Sequence, residues 1–273
     1  MKSAALRSAV AAVVLTAAGA EAQEQKPVWV FEGGVGLENH YQSYVETVQS
    51  TTFMKQDGWF GGVTLEGRLK SDRWQLRGEL RYAWGEMDYS GSGTANGIDD
   101  TVFEGRALLA HVFPTGDGRQ FIPYVGFGYR RLEDNFGGVT TSTGALGYDR
   151  ISQYYYIPIG LESILPLGRG WHLKPTIEFD YFLKGTQTSR LSTVLAGLSD
   201  LENDQGSGYG LRGSLTFAST ILRTPVEFGP FIRYWNIDES DVATISFRGR
   251  TVARGLEPAN ETFEAGLALK LWY

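Results

Sequence analysis

The stretch Phe263-Glu-Ala-Gly-Leu-Ala-Leu-Lys-Leu-Trp-Tyr273 decides how the rest of the chain is read. One parity, Phe263, Ala265, Leu267, Leu269, Leu271 and Tyr273, is apolar at every step. The other, Glu264, Gly266, Ala268, Lys270 and Trp272, is small or polar until its last position. Side chains alternate faces along a strand, so this is a strand with two unlike faces. An ordinary strand needs only about five or six residues. A strand that crosses a bilayer at a tilt needs about nine to eleven, with lipid on one face and a polar lumen on the other. The closing stretch fits the second description.

Working back toward the start, the same alternation gives about ten segments in all, near 28–41, 58–70, 74–84, 100–113, 121–132, 151–165, 171–185, 207–220, 226–237 and 263–273. The segment from Trp74 alternates most cleanly. Trp74, Leu76, Leu80, Tyr82 and Trp84 share one face, against Gln75, Arg77, Glu79 and Arg81 on the other. Short turns fall near 71, 115, 167 and 223, and long polar loops near 47, 92, 140, 195 and 248. Short turns at one end and long loops at the other are the pattern of a closed transmembrane barrel. The expected fold is therefore all-β: a closed antiparallel barrel of about ten strands, with eight or twelve as alternatives. Both termini then lie on the short-turn, periplasmic side. Pro123, Pro158, Pro175 and Pro230 interrupt strands, and each should mark a bulge or a strand end, because proline lacks the ladder donor.

The first residues carry Lys2 and Arg7, then a mostly apolar run from Ala9 to Ala18, then Ala20-Glu-Ala22. That is a secretory leader cleaved after Ala22, leaving a single barrel domain over 23–273. The chain has no cysteine, so disulfides are absent as staples in an exported protein. A formal charge of −6 argues against nucleic acid as a partner.

The terminal Leu-Ala-Leu-Lys-Leu-Trp-Tyr273, the leader and the cysteine-free alternating strands resemble the bacterial outer-membrane β-barrel superfamily, which includes the OmpA-type transmembrane barrel and small porin-like proteins. Tyr124-Val-Gly-Phe-Gly-Tyr-Arg130 and Tyr154-Tyr-Tyr-Ile-Pro-Ile-Gly-Leu-Glu162 look like strands of that group. The resemblance implies the outer membrane of a Gram-negative bacterium, contact with membrane lipid and lipopolysaccharide, and recognition by the barrel insertion machinery. Phe263, Leu267, Leu269, Leu271 and Tyr273 would form the insertion signal. Aromatic girdles are assigned to Trp29, Trp59, Trp74, Trp84, Trp171 and Tyr273.

The inward parity carries charges of both signs: Glu66, Arg68, Arg77, Glu79, Arg81, Glu104, Arg106, Glu162, Lys174, Glu178, Asp180, Arg212 and Arg233. They would line either a water-filled channel for small solutes or a narrow lumen plugged by mutual ion pairs. A barrel of about eight strands is just filled by side chains, so width favours the plug. The expected function is porin-like or structural, with loop-mediated binding of a surface partner as the alternative. A rim enzyme is a further alternative. Omptin-type outer-membrane proteases have ten strands with acidic and acid/His pairs at the outer rim, and lipid A-modifying enzymes combine His, Ser and an acid there. Asp99, Asp100, His40 and Ser43 are the tempting residues, but the loop bearing Asp200 and Asp204 holds no histidine. No catalytic residue, cofactor or metal ligand is assigned. Thr140-Thr-Ser-Thr143 and Leu195-Ala-Gly-Leu198 are loop stretches that could contact a partner.

Overall fold

The computed structural model describes residues 28–221 and 223–273. The leader expected over 1–22 lies outside these residues. Ten long strands form the barrel: β1 (Val30–Val48), β2 (Thr51–Lys70), β3 (Trp74–Gly91), β4 (Gly93–His111), β5 (Gln120–Asp134), β6 (Arg150–Gly168), β7 (Trp171–Ser189), β8 (Gly208–Ile221), β9 (Thr224–Ile237) and β10 (Ala259–Trp272). Each pairs antiparallel with its neighbours, and β10 closes on β1 from Gly34↔Trp272 to Thr47↔Ala259. Outside the wall, Leu201–Gln205 extends the upper end of β7, and Ala243–Phe247 pairs with Arg250–Gly255 as a separate hairpin. No described helix is long and apolar enough to cross a membrane, which says nothing against crossing by strands.

The strands are longer than the alternation alone suggested, and two expected loops vanish. The chain near 47 turns through Gln49 and Ser50, both at positive φ, instead of looping. The Gly/Ser-rich stretch near 92 is also strand on both sides, turning at Ser92. Gly93 has a φ of 117° there, and a Cβ would lie 2.8 Å from Thr143 Oγ1, so glycine serves both the turn and the contact. Likewise β7 runs on to Ser189, through the start of the loop expected from 186.

The reason is an inversion of polarity. Between Trp74 and Trp84, β3 turns its large apolar side chains outward and its charged ones inward. Beyond Gly85 the pattern flips: Met87 and Tyr89 are buried inside, and Glu86, Asp88 and Ser90 are exposed. β4 does the same, with Ile98 and Val102 inside and Asp99 outside. Together with Tyr44, Met54, Phe60 and Phe136 these residues form an apolar core within the upper barrel. Above the outward aromatic belt the barrel is built like a water-soluble one.

Each of the four prolines singled out from the sequence keeps its pairing to one neighbour where pairing to the other lapses. Pro123 pairs with Leu161 but not with β4, and Pro158 with Asp180 but not with β5. Pro175 pairs with Leu215 but not with β6, and Pro230 with Leu267 but not with β8. No register shift occurs at any of these four, so a one-sided gap takes the place of the expected bulge or strand end; a shift does follow Pro166, at the end of β6. Proline removes one N–H donor, and one side of the ladder is what goes missing.

Candidate functional site

Inward side chains at mid-height meet in a layer that crosses the lumen. Glu264 on β10 accepts from Arg130 Nη2 at 2.8 Å and from Arg81 Nη2 at 2.8 Å. Arg81 Nε donates to Glu38 at 2.7 Å, and Arg233 bridges Glu38 and Glu264 at 3.0 Å to each. His40 lies between the same two carboxylates, stacked on Phe60 at 5.3 Å. On the facing wall Glu104 accepts from Tyr156 Oη at 2.6 Å and pairs with Arg212, which reaches Asp180 at 2.7 Å. Phe60, His40, Arg130, Tyr156 and Glu264 come from five strands, and each has 0% of its surface exposed. The tyrosines fit because their facing positions are glycine: a Cβ at Gly128 would sit 2.1 Å from the Tyr156 ring.

Below this layer the charges continue in pairs. Arg106 bridges Glu178 at 2.6 Å and Glu79 at 3.0 Å, and Tyr124 donates to Glu178 at 2.7 Å. Arg77 pairs with Glu162 at 3.2 Å, Lys174 with Glu227 at 2.7 Å, and Glu66 with both Arg68 and Lys270. Every lumen residue named from the sequence is thus inward and ion-paired. Arg68 also lies over the Trp272 ring at 3.8 Å. A cavity of about 180 Å³ remains among these lower groups. Buried charges left in such company are costly alone but tolerable when each has its partner.

On the outer surface Trp29, Trp59, Trp74, Trp84 and Tyr273 are exposed, and Trp171 is half-buried against Phe228. Leu267, at 65% exposure, Leu269 and Leu271 form the outward face of β10, whereas its Trp272 is inside the lumen. The Tyr273 amide and carbonyl pair with Gly33, which ties the last residue into the wall.

At the upper end a different cluster gathers around Arg150. It donates to Glu46, to Gln56 Oε1 at 2.9 Å and to Asp134 Oδ2 at 2.7 Å. Tyr44 Oη lies 3.1 Å from Glu46 and 3.2 Å from Glu257, which comes from the loop before β10. Burial and the neighbouring Glu46 push Glu257 up to about 8. Asp100 faces Asp134 directly across the β4–β5 ladder. Burial, then the Asp134 charge, holds its carboxyl well above the usual range.

The structure separates the residues of the rim-enzyme reading. Asp99 points outward and Asp100 inward. His40 is enclosed in the mid-height layer, three residues from Ser43 and on the opposite parity. His111 packs between Trp74 and Phe113 near the short turns. Among the described residues no three His, Cys, Asp or Glu side chains form a metal-holding group. The Thr140–Thr143 stretch is spent on its own chain: Thr141 Oγ1 donates to the Ser92 carbonyl at 3.0 Å, and Ser142 N to that of Thr94 at 2.9 Å. The Leu195–Leu198 stretch lies on the outer hairpin, where Arg248 N donates to Gly197 O at 2.8 Å.

Glu38 and His40 were absent from the inward set read from the sequence, although they alternate with the outward Leu37 and Asn39 on β1. The upper cluster gave no such signal. Its members are joined across 104 residues, from Glu46 to Arg150, and most of them lie outside the segments expected as strands.

No family model matches the sequence, and no curated protein matches it. Solved structures do resemble the fold. The outer membrane protease OmpT from Escherichia coli aligns at a TM-score of 0.57 and 8% identity, over 92% of this chain and 98% of that one. The outer membrane protein OprG from Pseudomonas aeruginosa aligns at 0.35 and 11% identity, over 87% and 95%. The toluene transporter TodX from Pseudomonas putida aligns at 0.37 and 10%, over 89% of each chain. At these identities the likeness concerns architecture alone: the chain has the closed, ten-stranded antiparallel fold found in outer-membrane barrels.

Proposed function

We propose that this chain is an outer-membrane protein of a Gram-negative bacterium whose barrel is sealed, serving as a structural anchor that holds its extracellular extension and loops at the cell surface. The outward apolar face between aromatic belts supports the membrane location. One observation carries the sealed reading: Phe60, His40, Arg130, Tyr156 and Glu264 reach in from five strands at mid-height, and none of them has any exposed surface. A diffusion pore needs a continuous aqueous path, and ten strands lie nearer the width of about eight that side chains just fill than the sixteen or more that leave a channel.

The extracellular extension is the part offered to a partner. Its hairpin at Ala243–Phe247 and Arg250–Gly255 stands outside the wall, with Val252, Arg248, Arg250 and Arg254 exposed. The porin-like alternative rests on the cavity of about 180 Å³ among the lower charges. Planar-bilayer recording of the purified, refolded protein decides between them. The sealed reading expects a silent bilayer, and discrete conductance steps from the unaltered protein would overturn it.

A further inference from the structure

The upper cluster holds more negative charge than its single guanidinium can neutralise. Glu46, Asp100, Asp134 and Glu257 are all buried, and Arg150 is the only base among them. A cavity of about 30 Å³ opens beside it, bordered by Gln42, Tyr44, Asp100, Asp134 and Arg150. That is room for one water or one ion.

Three of the donors beside this cavity serve a single oxygen. Gln56 Nε2 and both Arg150 Nε and Nη2 converge on Asp134 Oδ2, at 3.2, 3.0 and 2.7 Å. Asp134 Oδ1, Asp100 Oδ1 and Gln42 Oε1 are left buried without any hydrogen-bond partner. Asp100 is 8% exposed, and the Oδ1 it buries receives no hydrogen bond. These three oxygens are acceptors on side chains that border one cavity, and two belong to carboxyl groups facing each other across the β4–β5 ladder. A water brings two hydrogens to three acceptors and leaves the two carboxyls repelling each other. A cation satisfies all three.

We propose that Gln42, Asp100 and Asp134 form an oxygen-donor site for a single hard divalent cation of the Ca²⁺ class on the extracellular side of the barrel. Oxygen ligands are what such ions take. Two of the three side chains are carboxylates, so this donor set has no sequence spacing that announces it. Its members sit on β1, β4 and β5, and the ion clamps these strands together just above the membrane band. The site stands whether or not the lumen conducts.

Tb³⁺, a luminescent stand-in for Ca²⁺, tests it directly, because Tyr44 borders the cavity and can sensitise the emission. The refolded protein in detergent should give tyrosine-sensitised emission that saturates and is displaced by Ca²⁺. Asp100→Asn should weaken that affinity at least tenfold. Ca²⁺ should also raise the temperature at which the folded band disappears on a gel, in the unaltered protein and not in the variant. Where Asp100→Asn fails to fold, Gln42→Ala removes a neutral donor and should weaken Tb³⁺ binding in the same direction. Equal emission from the variant would place the ion on exposed carboxylates and overturn the site. Absence of emission from the unaltered protein, or a thermal transition that follows pH and ignores Ca²⁺, would overturn it equally.

Discussion

The band between the aromatic belts and the extension above it are made from the same strands with opposite rules. In the band Leu76, Leu80 and Leu267 face outward and Arg77, Glu79 and Arg81 face inward. In the extension Met87, Ile98 and Phe136 face inward and Glu86, Asp88 and Asp99 face outward. The strands run on through the change, with a register shift in the β3–β4 ladder between Met87 and Tyr89. On the proposed membrane reading it is the solvent that differs. On that reading, what faces out is apolar where lipid would be the solvent and polar where water would be. The interior then takes whatever remains, matched ion pairs below and an apolar core above.

The largest effect expected from breaking this contrast is at the mid-height layer. Glu264→Ala leaves Arg81, Arg130 and Arg233 short of their shared partner, and removing one member of a buried ion network costs about 3–5 kcal/mol. The checking measurement is equilibrium unfolding in urea followed by tryptophan fluorescence, where the midpoint should fall markedly. A midpoint unchanged from the parent would mean that the network contributes little.

Next comes a paired substitution across the boundary. Leu267→Arg puts a charge on the lipid face near mid-depth, which costs about 2–4 kcal/mol. Ser90→Arg, on the outward face of the extension, should stay within about 0.5 kcal/mol of the parent. Folding into lipid vesicles reads both, and equal losses at the two positions would erase the contrast.

The smallest expected effect is a pH dependence confined to the extension. Glu257 faces Glu46, Tyr44 and Arg150, and burial followed by the Glu46 charge raises it to about 8. A carboxyl raised in the folded state binds its proton more tightly there than when unfolded. Its contribution is therefore full below the unfolded pKa of about 4.3 and is lost as pH rises through about 8. Limited proteolysis of the segment 238–258 should accelerate between pH 7 and about 9. Glu257→Gln should flatten that profile, and a variant that keeps the slope would remove Glu257 as its source.

The same contrast explains what could be read from the sequence. The band was legible because its apolar face is the outward one, as in Phe263 to Tyr273, and the chain repeats that parity around the closed sheet. Met87, Tyr89 and Ile98 alternate just as regularly, but in the inverted sense and among Gly and Ser, so they passed for a loop. The lumen charges on the inward parity were legible one by one. Which of them pair was not, because partners such as Arg81 and Glu264 stand 183 residues apart and meet only when the barrel closes. His40 shows the limit from the other side: proximity in sequence to Ser43 suggested chemistry, and strand parity put the two on opposite faces.

The one-sided gaps at the prolines give the wall a mechanical grain. All four lie on β5, β6, β7 and β9, while the joins β1–β2, β2–β3 and β10–β1 run without such a gap. Half the circumference is laced at nearly every rung, and the other half carries slack at four points. A lateral squeeze from the bilayer would not deform such a tube evenly. It would flex along the slack half, and the laced half, which bears most of the upper apolar core, would keep its shape.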